Sequence, residues 1–310
     1  MRFSDMRLTR LIVAAIAAAA LVGALVASAS ARTARSLPGK GKPAFVLGDK
    51  NFAEEYILGD LYQQALEAKG YKVTLKPNLG STEIAFKALQ SGQIQGYPEY
   101  DGTLLANEGI TKNAANAAAE AAETKSWATK HGYTFTNVTP FSDSDAIAVL
   151  TSYAKKNHLT SIGDLKKLGS AVKLGAAAEF QTRYPDGLKG LNKIYDVHPT
   201  FVPLTIPSFY TALSNHSVDA AAVFTTDPPL KGKTYTVLKD TKFIFGFQNV
   251  GMVIKASVAK AEGSAFTSTI NKVSALLTQK AIIALNAAVE VDQQSAASVA
   301  KSFLKANHLG

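Results

Sequence analysis

The sequence predicts an α/β protein with two lobes, each a sheet flanked by helices. Three observations predict this fold class. Strand and helix patterns alternate between about residues 43 and 103, a second series runs from about 145 to 249, and the chain reads as helical from Ala256 onward. An alternating β-α-β-α order is typical of a parallel sheet that is covered by helices.

The first 31 residues predict an exported protein. Arg2, Arg7 and Arg10 precede an uncharged run from residue 11 to 27, and Ala29-Ser30-Ala31 follows as a small-x-small cleavage pattern. This order is typical of a secretory signal peptide. The run is rich in alanine and shorter than the roughly 20 strongly apolar residues of a membrane span, although an uncleaved anchor stays an alternative. Residues 32–42 predict a flexible leader.

The composition excludes several classes of protein. The chain has no cysteine, which rules out disulfides, thiolate metal sites, cysteine catalysis and a lipid-modified N-terminal cysteine. We therefore expect an exported or cell-surface protein, periplasmic where there is a periplasm, that is not a lipoprotein. About 279 residues remain once the first 31 are removed, enough for one large or two ordinary α/β domains.

The charge does not indicate a nucleic-acid partner. The formal charge is +9, of which the first 31 residues contribute +2. Lysines and arginines are spread singly or in pairs, such as Lys155-Lys156 and Lys166-Lys167, and no basic run is interleaved with aromatic residues. This pattern favours a solvated basic surface, so we expect no nucleic acid.

The elements of the first half follow from short apolar runs and helical spacing. Ala44–Gly48 predicts a buried strand, Ala53–Lys69 a helix that Gly70 ends, and Tyr71–Lys76 a second strand. A turn at residues 78–82 then leads into a helix over Ile84–Leu89. Both helices start at strand ends, so their free N–H groups are expected to face the same crevice.

The stretch from Gly92 to Thr103 predicts a ligand-binding turn. Because proline lacks a backbone donor, we expect the strand to end at Tyr97-Pro98 and a helix to begin near Asp101. Tyr97, Glu99, Tyr100 and Thr103 would then lie at the carboxyl end of a strand, where open α/β sheets bind ligands. The alternative is a strand-to-helix turn with partly buried tyrosines.

The second half predicts a further β/α unit. The expected elements are helix Thr111–Lys130, strand Ala146–Leu150, short helix Ile162–Leu165, strand Ala171–Ala177, helix Gly187–Tyr195, strand Thr200–Leu204, helix Pro207–Asn215, strand Val218–Phe224, and strands Tyr235–Lys239 and Asn249–Ile254.

Three sequence blocks resemble the substrate-binding proteins of osmoprotectant ABC importers, which bind glycine betaine, choline, carnitine or related quaternary amines. The blocks are Gly48-Asp49-Lys50-Asn51-Phe52-Ala53-Glu54-Glu55, Asn78-Leu79-Gly80-Ser81-Thr82 and Tyr97-Pro98-Glu99-Tyr100-Asp101-Gly102-Thr103. Further matches lie at Glu179-Phe180, Arg183, Asp186-Gly187-Leu188, Val218-Asp219 and Phe224-Thr225-Thr226-Asp227. The likeness covers roughly residues 43 to 305.

The resemblance implies a type II periplasmic-binding-protein fold with the ligand cleft between the lobes. The chain would cross back near residue 250, so that residues 43–144 and 250–310 form the first lobe and residues 145–249 the second. It also implies a monomer that delivers its ligand to an ABC permease, with no cofactor, no metal and no catalysis.

The resemblance also assigns ligand-binding residues one at a time. Tyr100, Phe224 and Phe247 match aromatic cage positions, where ring faces solvate a quaternary ammonium. Lys50, Thr103 and Arg183 match positions that bind a ligand carboxylate.

One departure from the family pattern bears on which ligand is bound. Where the family often has a cage tyrosine, this chain has Asp145, within Asp143-Ser144-Asp145. A carboxylate attracts a cation but costs free energy to bury, so it favours a ligand that carries N–H donors. The alternatives are that Asp145 caps a helix or pairs with a lysine, and that Phe224 and Phe247 belong to the core.

Two other functions stay open at this point. The first is an exported binding protein for another small cation or an amino acid. The second is a secreted hydrolase, which the motifs disfavour because the five histidines are scattered and no Gly-x-Ser-x-Gly elbow, P-loop or Gly-x-Gly-x-x-Gly occurs.

Overall fold

A computed structural model of the protein describes residues 36–310. The predicted signal peptide and residues 32–35 of the predicted leader lie outside the described residues. None of the helices in residues 36–310 is by itself long and apolar enough to cross a membrane. Two consecutive helices, Ser264–Ser274 and Gln279–Glu290, meet the length and composition criteria only together, across an 84° bend.

The strands in this part of the chain are β1 (Ala44–Gly48), β2 (Lys72–Lys76), β3 (Gly96–Tyr100), β4 (Tyr133–Phe135), β5 (Asp145–Leu150), β6 (Lys173–Ala176), β7 (Thr200–Pro203), β8 (Ala220–Phe224), β9 (Tyr235–Val237) and β10 (Val250–Lys255).

The α-helices are α1 (Ala53–Glu67), α2 (Thr82–Ser91), α3 (Asp101–Asn107), α4 (Ala117–Lys130), α5 (Thr151–Lys156), α6 (Leu188–Gly190), α7 (Phe209–Ser214), α8 (Ala256–Glu262), α9 (Ser264–Ser274), α10 (Gln279–Glu290) and α11 (Ala296–Ala306). Short 3₁₀ segments cover Ile162–Ala171, Ala178–Gln181, Ile206–Ser208 and Pro228–Lys231, and a π turn covers Leu191–Tyr195.

The first sheet has the strand order β2-β1-β3-β10-β4. Strands β1, β2 and β3 are parallel, and β10 is antiparallel to both β3 and β4. Side chains alternate between the two faces. Met252 packs into the core beneath α1 and α9–α11, whereas Val253 packs into the core beneath α2–α4. This sheet and its helices are called the first lobe below.

The second sheet has the strand order β7-β6-β8-β5-β9, in which β5 is antiparallel to β8 and β9. It too has a core on each face: Ile147 and Val149 point to one, Ala146 and Ala148 to the other. This sheet and its helices are called the second lobe. The predicted two-lobe α/β class is therefore confirmed, while the predicted lobe limits stay a prediction.

Two neighbouring chain segments connect the sheets. One leads from β4 to β5 and the other from β9 to β10. Ser142 pairs with Asn249 in an antiparallel bridge. The side-chain nitrogen Nδ2 of Asn249 donates to the carbonyls of Thr139 and Phe141 at 3.0 and 2.8 Å. The two connections thus run side by side as a double link between the lobes.

The prediction that the strand ends at Tyr97-Pro98 is wrong, because β3 continues to Tyr100. The amide of Asp101 donates to Asn249 on the β10 side, so strand alternation turns the nitrogen of Pro98 away from β10. On that other side the pairing with β1 involves only Leu47 and Gly96. The missing N–H of proline therefore costs no ladder hydrogen bond.

Several predicted boundaries shift for local reasons. Helix α4 begins at Ala117 rather than Thr111, because the Asn116 side chain accepts from the Ala119 amide and caps it. Strand β8 begins at Ala220 rather than Val218, because the Val218 amide still bonds to the carbonyl of Ala212 in a turn. Strand β4 and helix α5 were not predicted.

Candidate ligand site

A small cavity lies where residues from the edges of both sheets meet. Its volume is about 50 Å³, room for a few water-sized groups. The lining comes from the loop after β1, the ends of β3 and β8, the starts of α2, α3 and β5, the two connections, and the segments near Arg183 and Ile206. The lining residues are Lys50, Asn51, Phe52, Ser81, Thr82, Tyr100, Thr103, Asp143, Asp145, Glu179, Arg183, Ile206, Phe224 and Gln248.

Lys50 is a buried cation whose charge is matched inside the protein. It follows the end of β1 and is only 3% exposed. Its ammonium lies 2.5 Å from Glu99 Oε1 and 3.8 Å from Glu55 Oε1, and it donates to Thr82 Oγ1 at 3.2 Å. The same ammonium lies 4.4 Å from the centroid of the Tyr100 ring, within cation–π distance.

Three aromatic rings, called the ring row below, form one wall of the cavity. Phe52 lies between Tyr100 and Phe224, with centroid distances of 6.2 and 5.2 Å and interplanar angles of 28° and 24°. Tyr100 comes from the end of β3 and Phe224 from the end of β8, so the row includes residues of both lobes. The face of an aromatic ring is negative and attracts a cation wherever it is open to the cavity.

Behind the ring row, a buried carboxylate joins the two lobes. Glu54 Oε1 accepts from the Tyr100 hydroxyl at 2.7 Å, and Oε2 accepts from Thr226 at 2.8 Å and from Asn286 at 2.9 Å. Glu54 is 2% exposed. Burial raises the pKa of Glu54 against the lowering effect of these three hydrogen bonds, and Asp227 raises it further. The network fixes the orientation of Tyr100.

Thr103 and Gln248 form a closed pair at another side of the cavity. Both the amide and the hydroxyl of Thr103 donate to Gln248 Oε1 at 2.9 Å. The Gln248 amide nitrogen donates in turn to the Phe245 carbonyl at 3.1 Å. A side chain added at Gly102 would overlap the Phe247 carbonyl at 2.4 Å, so only glycine allows the chain to pass this close.

Arg183 and Glu83 form an ion pair between the lobes. Arg183 Nε and Nη2 donate to the two oxygens of Glu83, near the start of α2, at 3.1 and 3.4 Å. Burial alone would raise the pKa of Glu83, but the Arg183 guanidinium and hydrogen bonds from Arg183 and Ser81 lower it to about 2. The positive charge of Arg183 is therefore matched by a carboxylate of the first lobe.

Three carboxylates line the cavity without a cation within 4 Å among the described residues. These lining acids are Asp143, Asp145 and Glu179. Asp143 Oδ1 accepts from the Thr226 amide at 2.9 Å and from Thr225 at 3.2 Å. The Asp145 carboxylate accepts no hydrogen bond from residues 36–310, so its acceptor capacity is free for water or a ligand.

The lining acids repel one another and their neighbours. Burial raises the pKa of Asp143 well above its ordinary value, and the carboxylates of Glu54 and Asp227 raise it further. Burial raises the pKa of Asp145 to about 7, against the lowering effect of Arg183, with help from Asp186, Glu179 and Asp227. This crowding of negative charge creates a site that a cation would stabilise.

The structure brings six of the seven predicted site residues to the cavity: Lys50, Tyr100, Thr103, Asp145, Arg183 and Phe224. Phe247 lies outside the lining and packs against Phe243, with centroids 4.9 Å apart. Its predicted role gains no support from this placement. Tyr97 also lies away from the cavity, buried in the first-lobe core.

The lining residues that sequence reasoning missed include Phe52, Gln248, Asp143 and Glu179. Phe52 and Asp143 lie inside blocks that the sequence already singles out, so their positions beside Lys50 and Asp145 were the available signal. Gln248 had none, because its place follows from the second connection between the sheets.

The comparison with protein families decides the class. The family model described as "Substrate binding domain of ABC-type glycine betaine transport system" matches residues 44–306. The chain belongs to this family. Members of this family are solute-binding proteins of ABC transporters and not enzymes, which confirms the predicted resemblance and removes the hydrolase alternative.

Two curated relatives and one solved structure give the degree of similarity. The glycine-betaine-binding protein of Pseudomonas aeruginosa is 32% identical over 275 residues, which are 85% of this chain and 88% of the relative. The carnitine transport binding protein OpuCC of Listeria monocytogenes is 27% identical over 282 residues, which are 88% of this chain and 91% of the relative. A crystal structure described as glycine betaine/carnitine/choline ABC transporter superposes with a TM-score of 0.67 at 26% identity, over 86% of this chain and 99% of the other.

Proposed function

We propose that this protein captures a small cation of the quaternary-amine class, such as choline or glycine betaine, and delivers it to an ABC permease. The observation that carries the proposal is the ring row beside the lining acids, in one cavity shared by both lobes. Ring faces suit a methylated cation because such an ion has no N–H to donate. Carboxylates add Coulomb attraction.

Closure of the two lobes would trap the ligand. The ring row and the Glu83–Arg183 ion pair include residues of both lobes, so opening the lobes would separate them. The double link near Ser142 and Asn249 is the natural hinge, since few residues there would need to change their backbone angles. The closed form would present a joint surface of both lobes to the permease.

A second candidate ligand is a primary amine or an amino acid. The Asp145 carboxylate, which lacks hydrogen-bond donors within the described residues, favours this candidate, because an N–H donor would satisfy it. A fully methylated ammonium would leave it unsatisfied.

We also propose that the chain is exported without a lipid anchor and, as the family resemblance implies, acts as a monomer. The signal-like pattern in residues 1–31 and the absence of cysteine support the first part. N-terminal sequencing of the mature protein is expected to begin near Arg32. An intact Met1 in the exported fraction would contradict cleavage.

Equilibrium titration and scattering test the proposed function together. Calorimetric titration of the purified chain with choline, glycine betaine and carnitine is expected to show one saturable site for at least one compound. Small-angle scattering with the same compound should show a smaller radius of gyration at saturation. If none of the three compounds binds while a primary amine or an amino acid does, the second candidate replaces the first.

A further inference from the structure

We propose that the cavity selects a cation that carries no carboxylate. The inference deepens the proposed function and rests on it: it keeps the quaternary-amine site and removes the zwitterions from the list of good ligands. Choline belongs to the selected class, and glycine betaine does not.

The three residues that would receive a ligand carboxylate already have partners inside the protein. The Lys50 ammonium is paired with Glu99 at 2.5 Å, and the Arg183 guanidinium is paired with Glu83 at 3.1 Å. The Thr103 hydroxyl donates to Gln248 at 2.9 Å. Each of these groups already serves an acceptor of the protein, and both cationic charges are matched by carboxylates.

Three acids remain in the lining. Asp143, Asp145 and Glu179 line the same cavity, and none of them has a cation within 4 Å among the residues described. With Lys50 and Arg183 matched by Glu99 and Glu83, ionisation of Asp145 above about pH 7 leaves the unbalanced charge of the lining negative. A ligand carboxylate would enter a field of like charge, whereas a simple cation would neutralise it.

Binding a ligand carboxylate would break an ion pair of the protein. To reach a ligand carboxylate, Lys50 would have to leave Glu99, which is fully buried, or Arg183 would have to leave Glu83. Removing one member of a buried ion pair leaves an uncompensated charge, which is strongly unfavourable. A simple cation needs neither change, since Asp145 has no hydrogen-bond donor to give up among the described residues.

Four compounds separate the two properties of the ligand. Choline and glycine betaine share the trimethylammonium group and differ in hydroxyl against carboxylate, and ethanolamine and glycine repeat that difference on a primary amine. Calorimetric titration at about pH 8 keeps Asp145 ionised, since its pKa is raised to about 7. In each pair of compounds that binds, we expect the hydroxyl compound to have a Kd at least about tenfold lower than that of the carboxylate compound.

A variant tests the reason for this preference. Glu83→Gln removes the carboxylate that matches Arg183 and should raise glycine betaine affinity relative to choline by roughly tenfold. Glu123→Gln, on the exposed face of α4, is the matched control and should leave the ratio unchanged. An unchanged ratio in Glu83→Gln would overturn the part assigned to the paired arginine.

The results for the wild-type chain distinguish the two levels of the proposal. Glycine betaine binding as tightly as choline, or more tightly, overturns the further inference and leaves the quaternary-amine function standing. Absence of binding by all four compounds overturns the proposed function and this inference with it.

Discussion

Thr226, just after β8 of the second lobe, donates its hydroxyl to Glu54 in α1 of the first lobe at 2.8 Å, although 172 residues separate them. Both side chains are buried, and the same carboxylate holds the Tyr100 hydroxyl. The contact therefore couples the position of one lobe against the other to the orientation of a ring that lines the cavity.

Thr226→Val should destabilise the protein. The change removes one of the hydrogen-bond donors to a buried oxygen of Glu54. The free energy of unfolding should therefore fall by about 1–3 kcal/mol. Urea unfolding monitored by circular dichroism measures this change. Thr129→Val, on the exposed face of α4, is the control and should cost less. Equal effects in both variants would show that the Glu54 contact adds nothing.

Phe224→Ala should weaken binding of a quaternary amine. The change removes one ring face of the ring row, worth about 0.5–2 kcal/mol for a cation, while the chain keeps the Glu54 network. Phe224→Tyr keeps the ring face, so its Kd for the quaternary amine should lie within about threefold of the wild-type value. Calorimetry measures both variants, and equal affinity of Phe224→Ala and wild type would remove Phe224 from the site.

Tyr100→Phe separates the ring from its hydroxyl. The ring face remains beside the cavity, but Glu54 loses the donor at 2.7 Å. We expect the unfolding free energy to fall by about 1–3 kcal/mol with a smaller effect on ligand affinity. Tyr100→Ala is a poorer test, because removing a buried aromatic ring costs about 3–5 kcal/mol in stability by itself. A large affinity loss in Tyr100→Phe with unchanged stability would contradict this assignment.

The affinity for a cation should rise as the pH is raised through about 7. The folded pKa of Asp145 is raised to about 7, so the carboxylate is protonated below this value and charged above it. Only the charged form attracts a cation. Ligand titrations across this range measure how steeply the affinity depends on pH. Asp145→Asn should remove the part of that dependence that is due to this residue. Asp143, Glu54 and Asp227 face the same region and should leave a residual slope.

Asp145→Tyr should weaken the binding of one ligand class more than the other. With choline the new ring face offsets the lost Coulomb attraction, so affinity should change little. With ethanolamine the change removes a charge-assisted hydrogen bond of about 1.5–3 kcal/mol and should weaken binding. No change with either compound would place Asp145 outside the ligand's contacts.

The Glu83–Arg183 pair should stabilise the protein down to acidic pH. The folded pKa of Glu83 is lowered to about 2, so its contribution is complete above the unfolded value near 4.3 and is lost as the pH falls toward 2. The difference in thermal midpoint between wild type and Glu83→Gln should be constant from about pH 7 to 5 and should vanish in the acid range. A difference that already disappears at about pH 5 would contradict the pairing.

Much of the fold could be predicted because local patterns determine it. Ala44–Gly48 is apolar throughout and forms β1 with the predicted limits. Pro98 misled the prediction because a proline's effect depends on which side of the strand is paired, and that follows from the crossing of β10.

The site was harder to predict because its charges pair over long distances. Lys50 and Glu99 are 49 residues apart, and Arg183 and Glu83 are 100 apart, so the sequence cannot show that the predicted carboxylate receptors are already occupied. Phe247 and Gln248 are neighbours in the chain, and only the path of the second connection decides that Gln248 lines the cavity.

A crystal structure of the protein with choline would show directly how the cavity holds a cation. We expect the ammonium nitrogen to lie within about 6 Å of the ring centroids of Phe52 and Phe224 and near the carboxylates of Asp143 and Asp145, with the Lys50–Glu99 and Arg183–Glu83 pairs intact. A choline bound elsewhere, or one bound only after Lys50 or Arg183 has left its carboxylate, would contradict a cavity that selects simple cations.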